Sequence, residues 1–217
     1  MTSQTDLASL LCSRLCHDLL SPVGALSNGL ELLADEDDPE MRARCVELLE
    51  ASAKISTDKL KFFRLAFGAA GGFSDNVPLE EAQQVIEALA GDAKKVEIHW
   101  AMAENSLPKP AMKVLLNLAQ IGLDALVRGG RLDIGAERLA GNVEIVARAT
   151  GTRIAFDEVI GRALQGELGP DELTSRTAAA HMIALLAEEL GGGLQYRLSG
   201  EALVLGAVIP EPEGMIG

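Results

Sequence analysis

Two long apolar periodicities, separated by an acidic break that ends in proline, constrain this chain more than any other feature. Ala8, Leu11, Cys12, Leu15, Leu19, Pro22, Val23, Leu26, Leu30 and Leu33 recur at the three- and four-residue spacing of one broad helix face. The acidic run Asp35-Glu36-Asp37-Asp38 meets Pro39, which disfavours helical geometry in the residue before it. The pattern resumes through Met41, Cys45, Leu48, Leu49, Ser52, Ile55, Leu60, Phe63 and Phe67 and closes at Gly68 and Gly71-Gly72. Residues 1–72 are therefore expected to form an antiparallel helical hairpin. Each stripe is wider than one partner helix covers. Two copies joined as a four-helix bundle are the simplest completion, so the pattern predicts a homodimer, with the rest of the chain as the other possible cover.

Residues 73–217 change texture to mixed helix and strand. Leu79 to Ala90 reads as a helix. Val96 to Met102 alternates as a strand, with Val96, Ile98 and Trp100 on one side and His99 on the other. Pro108 to Val127 is a long apolar helix ending at Gly129-Gly130. Arg131 to Gly135 and Val143 to Ala149 read as short strands. An irregular segment from Thr152 to Pro170 precedes a helix from Thr174 to Leu190, and Gly191-Gly192-Gly193 opens a hairpin of Leu194 to Leu198 and Ala202 to Ile209. The order fits an α+β domain, an antiparallel sheet with helices on one face, with a frayed tail after Pro210.

Charge and composition exclude several classes. A formal net charge of −13 opposes a nucleic-acid role, which needs a basic surface, and favours partners with basic patches. No run approaches the roughly 20 apolar residues of a membrane span, and Met1 to Asp6 lacks the features of a signal peptide, so a cytoplasmic location without membrane attachment is expected. Cys12, Cys16 and Cys45 are expected as thiols. No metal site is expected: Cys12 and Cys16 lie a turn apart beside His17, but no further ligand is spaced to join them.

His17 is the candidate reactive residue. At about 100° per residue, Ser13, Arg14, Ser21, Gly24 and Asn28 fall near its direction, and Leu15, Leu19, Leu26, Leu30 and Leu33 fall nearly opposite. His17 is thus expected to face outward among small neighbours, with Leu10 and Leu20 adding exposed apolar contact. A solvated surface histidine remains the plain alternative. A neutral imidazole nitrogen can attack phosphorus near neutral pH, and Asp18 could hold the other nitrogen, although adjacent residues do not share a helix face. Pro22 removes the backbone bond to the Asp18 carbonyl and is expected to bend the helix beneath the histidine, freeing that carbonyl for water or a ligand.

The run His17-Asp18-Leu19-x-x-Pro22 within a helical hairpin resembles the dimerisation and phosphotransfer domain of sensor histidine kinases. The longer Cys16-His17-Asp18-Leu19-Leu20-Ser21-Pro22-Val23-Gly24-Ala25-Leu26-x-Asn28-Gly29-x-Glu31-Leu32 is similar to the ChpT-type histidine phosphotransferases of alphaproteobacteria. The remainder resembles a kinase ATP-binding domain of the Bergerat type, an α/β sandwich, with its chemistry removed. Val114 to Leu118 matches the helix of the asparagine box, but Ile121 stands where a second asparagine would help hold magnesium. A shifted register placing Gln120 and Asp124 in those roles also departs from the family pattern. Ala149-Thr150-Gly151-Thr152-Arg153 lacks the adenine-reading aspartate, and Arg176 to His181 replaces the glycine-rich loop.

The resemblance implies a phosphorelay intermediate with His17 and Asp18 as catalytic residues and Ser13, Arg14, Leu20, Ser21, Gly24 and Asn28 as its partner-binding surface. It implies no bound cofactor, with magnesium brought by the partner. Implied partners are the receiver domain of a hybrid histidine kinase and response regulators of the CtrA and CpdR type, which act in the cell cycle. A non-catalytic dimeric adaptor or kinase inhibitor, and an ATP-dependent histidine kinase, are the competing readings.

Overall fold

A computed structural model describes residues 3–68, 75–91 and 95–211. Two helices, α1 (Gln4–Asp35) and α2 (Pro39–Phe67), form the expected hairpin. Ser3 and Asp6 make a capping box at the start of α1. At the turn, Asp38 Oδ1 accepts from Glu40 N and Met41 N at 3.0 and 2.9 Å, and Pro39 occupies the first turn of α2, where its missing N–H costs nothing. α1 has no basic residue in its last turn. Arg42 of α2 serves instead, donating to the carbonyls of Leu33 and Glu36 at 3.0 and 2.7 Å.

The broad stripe of α1 divides in two. Pro22 and Gly29 are buried against α2, where Ser52 and Ser56 are buried in turn. Small residues let the helices approach closely: a Cβ at Gly29 would lie 2.9 Å from Leu49 Cδ2. The other part stays open in the single chain, with Val23 and Leu30 at 50% and 59% exposure and Met41, Leu48 and Ile55 of α2 similarly open. These residues repeat every seventh position, the spacing of a packed helical seam. The next member of the α2 series, Phe62, is buried with Phe63 and Ala66 where α2 meets the rest of the chain. So the C-terminal part covers one end of the hairpin and leaves the other end open. Gly71 and Gly72, expected to close the hairpin, lie outside the described residues, as does the tail from residue 212.

The remaining elements are β1 (Asn76–Pro78), α3 (Leu79–Ala90), β2 (Val96–Met102), β3 (Ser106–Pro108), α4 (Lys109–Ala125), β4 (Gly130–Leu139), β5 (Asn142–Thr150), α5 (Glu158–Leu164), α6 (Ala178–Glu189), β6 (Gly193–Ser199) and β7 (Ala202–Pro210). Five strands form one sheet in the order β2-β4-β5-β7-β6, and β1 pairs with β3 apart from it. α4 is buried along nearly its whole length because it has two covers, the sheet on one side and α2 on the other. Two apolar contacts on one helix explain its near-continuous hydrophobic sequence.

Three expectations require correction. The sheet is mixed rather than antiparallel: β2 pairs with β4 in parallel, because α4 carries the chain back between them. The segment expected to be irregular contains α5, started by Asp157, whose Oδ1 accepts from Val159 N at 3.0 Å. α6 begins at Ala178 rather than Thr174, because Thr174 to Thr177 form a side-chain-bonded turn, with Thr174 N donating to Thr177 Oγ1 at 2.9 Å.

Candidate functional site

His17 lies midway along α1 with its side chain 88% exposed, beside an Asp18 side chain that is 33% exposed. The two turn towards each other despite diverging on the helix, and His17 Nδ1 lies 3.3 Å from Asp18 Oδ1. When Nδ1 carries the ring proton and donates it to the carboxylate, the lone pair is left on Nε2, which Asp18 does not occupy. That tautomer supplies an exposed nucleophilic nitrogen.

Asp18 is itself held from two directions. Arg14 Nε lies 3.8 Å from Asp18 Oδ2, and Arg14 Nη1 donates to the Arg176 carbonyl at 3.5 Å, which ties the histidine turn to the approach of α6. On the other side, the carbonyl freed by Pro22 accepts from Lys59 Nζ of α2 at 2.7 Å. Sequence reading identified the orphaned carbonyl but not its partner, because 41 residues separate the two and no local pattern joins them.

The other residues expected at the surface divide into groups. Ser13, Ser21, Gly24 and Asn28 are exposed, and a Cβ at Gly24 would meet nothing within 4 Å. Among the described residues, Leu20 is the most open large apolar side chain, at 75% exposure. Leu10 is half-buried rather than open. Arg14 is half-buried and turned towards α6, so it belongs to the support of Asp18 rather than to the open surface. Asn28 lies further along, at a shallow depression shared with Glu31 and Asp35.

A cleft of about 550 Å³ opens beside His17, between α1 and the helices of the C-terminal part. Its wall includes Asn117, Gln120, Ile121 and Asp124 of α4, the residues singled out by resemblance to the asparagine box. The amide donors of Asn117 and Gln120 bond within α4 itself. Asn117 Nδ2 donates to the Lys113 carbonyl at 2.8 Å, and Gln120 Nε2 to Asp124 Oδ1 at 2.9 Å. Across the cleft, Arg176 Nη1 pairs with Asp157 Oδ2 at 3.2 Å.

The two other histidines lie away from this constellation. His99 is exposed on β2, its Nε2 3.9 Å from Glu97 Oε2. His181 on α6 has a buried Nδ1 with no hydrogen-bond partner, and burial lowers its pKa below the usual histidine value. Cys12 and Cys16 are exposed thiols. Among the described residues, no three His, Cys, Asp or Glu side chains converge as a metal site, and no helix is long and apolar enough to cross a membrane.

Residues 79–202 match the histidine phosphotransferase C-terminal domain. The protein phosphotransferase ChpT of Brucella abortus (strain 2308) is 34% identical over 209 residues, covering 94% of this chain and 96% of that protein. A solved bacterial phosphotransferase superposes with a TM-score of 0.81 at 34% identity, covering 95% of this chain and 98% of that one. The chain, hairpin and C-terminal domain together, belongs to the histidine phosphotransferase family.

Proposed function

We propose that His17 is the phosphoacceptor of this phosphotransferase. The observation that carries the reading is the exposed imidazole whose Nδ1 faces the Asp18 carboxylate and whose Nε2 is left open. Nε2 attacks the phosphorus of an aspartyl phosphate on a receiver domain. The N–P bond forms as the bond from phosphorus to the aspartyl oxygen breaks, and the receiver carboxylate leaves with the electron pair. Positive charge developing on the ring is stabilised by Asp18 through Nδ1–H. The reverse sequence loads the aspartate of a second receiver. Alignment supplies most of what such transfer needs, and a rigid helix can provide it.

The receiver brings the magnesium, and this chain binds no nucleotide. Ile121 offers no oxygen where the resemblance would require a magnesium ligand, and residues 176–181 carry no glycine with which to wrap a phosphate. Two chains join through Val23, Leu30, Met41, Leu48 and Ile55 into a four-helix bundle, which covers the seam left open at the end of the hairpin away from Phe62. Ser13, Leu20, Ser21, Gly24 and Asn28 form the surface on which the receiver docks. The C-terminal domain braces the hairpin through α4 and the Arg14 contact. By resemblance, the phosphoryl group comes from a hybrid kinase and passes to regulators of the CtrA and CpdR type, in cell-cycle control in the cytoplasm.

The test offers a phosphorylated receiver domain to wild-type and His17→Ala protein. Labelling of the wild type alone is expected. Equal labelling of both would discard the assignment to His17, and labelling of neither would leave the adaptor reading.

A further inference from the structure

We propose that Lys59 is a positioning residue for transfer at His17, acting through the main-chain carbonyl of Asp18. The inference rests on His17 being the phosphoacceptor. In an unbroken helix the Asp18 carbonyl would accept from the N–H of residue 22, but residue 22 is proline. An acceptor in the very turn that carries the nucleophile is thereby left open. Lys59 donates to it at 2.7 Å from the other helix of the hairpin.

The position of Lys59 is unusual for a lysine. It continues the face of α2 that packs on α1, following Cys45, Leu49, Ser52 and Ser56 and preceding Phe63, and it is half-buried there. A charged head in such a seam is unfavourable unless it is bonded, and its bond is to the Asp18 carbonyl. Charge-assisted bonds of this kind are shorter and stronger than neutral ones.

Pro22 and Lys59 therefore act as a pair. The proline removes a bond that any other residue would make with its own helix, and the lysine replaces it with one anchored on α2. The peptide after Asp18 is fixed against the opposite helix, so the carboxylate of Asp18 stays directed at His17 Nδ1. Lys59 bonds to the backbone and not to a reacting atom, and its effect on transfer is through orientation.

The pair is tested by a double-mutant cycle on the full-length chain, using the receiver domain of a hybrid histidine kinase charged with radiolabelled acetyl phosphate. Lys59→Met is expected to lower kcat for transfer about tenfold, with KM for the receiver changed less than twofold, and Lys59→Arg to recover most of the loss. In a Pro22→Ala background, where an N–H again reaches the Asp18 carbonyl, Lys59→Met should change kcat less than twofold. An equal loss in both backgrounds, an effect on KM alone, or no loss at all would overturn the proposal. Nitrogen-15 NMR of the His17 ring supplies a readout that does not require transfer. Lys59→Met should reduce the share of the Nδ1–H tautomer, and an unchanged share would overturn the brace. Labelling of His17→Ala at the wild-type rate would refute the phosphoacceptor instead, leaving the NMR comparison to decide on Lys59.

Discussion

Replacing Asp18 with asparagine removes one charge and almost no volume, and the geometry sets the size of the effect. At the observed 3.3 Å between His17 Nδ1 and Asp18 Oδ1, a full ring charge would interact by about 1 kcal/mol in water and about 5 kcal/mol at an effective dielectric of 20. The ring is 88% exposed and the carboxylate 33%, which places the pair near the watery end, at about 1 to 2 kcal/mol. Asp18→Asn should therefore slow phosphoryl transfer about 5- to 30-fold at neutral pH. The amide retains an acceptor oxygen, so the Nδ1–H tautomer survives in part and activity is not abolished. Its long contact with Arg14, 3.8 Å and partly exposed, is worth less than about 1 kcal/mol to folding, so the thermal midpoint should barely move. Rapid-quench measurement of label moving from a phosphorylated receiver to His17 reads the rate directly. A rate within twofold of wild type would remove Asp18 from the mechanism. A loss as complete as that of His17→Ala would show that the electrostatic argument underestimates its role.

Further outcomes follow from other parts of the molecule. Ile55→Glu places a charge in the open seam, 48% exposed in the single chain, and should convert a dimer to a monomer by light scattering with helicity retained; a wild-type protein monomeric at micromolar concentration would contradict the dimer itself. Gly130 has φ of 138°, and a Cβ there would strike the Thr150 carbonyl and lie 3.0 Å from Leu126 Cδ2, so Gly130→Ala should cost about 2 kcal/mol in urea unfolding. An unchanged midpoint would refute that. His181 has its pKa lowered by burial. The unfolded chain then takes up this proton at a higher pH than the folded one, so the stability associated with neutral His181 is present above the unfolded value and is lost as pH falls towards the folded value. His181→Leu should flatten the fall in urea midpoint below about pH 6.5, and parallel profiles for the two proteins would refute it.

The legible parts of the site were those set by helical phase. His17 points outward and Pro22 inward because both directions follow from residue spacing on a single helix, and the exposure of Ser13, Ser21 and Gly24 follows in the same way. Arg14 departs from this pattern. Its backbone direction is close to that of His17, but a long side chain can fold back, and the Arg176 carbonyl and Asp18 give it reason to do so. α5 escaped notice because seven residues are too few to establish a period, and its start depends on one aspartate cap.

The sequence by itself determined the two long helices and their break, apolar stripes wider than one partner helix covers, the outward histidine and the backbone acceptor that Pro22 deprives of its helical donor. All of these depend on residues within a few turns of one another, where spacing alone fixes direction. Only the tertiary structure decided what meets what. It aligned β2 parallel to β4, set α4 between the sheet and α2, turned Asp18 onto His17 and brought Lys59 to the Asp18 carbonyl across 41 residues. Periodicity states which face of an element must be covered or which group must be bonded. The choice of partner is made by chain segments that meet only when the whole molecule packs.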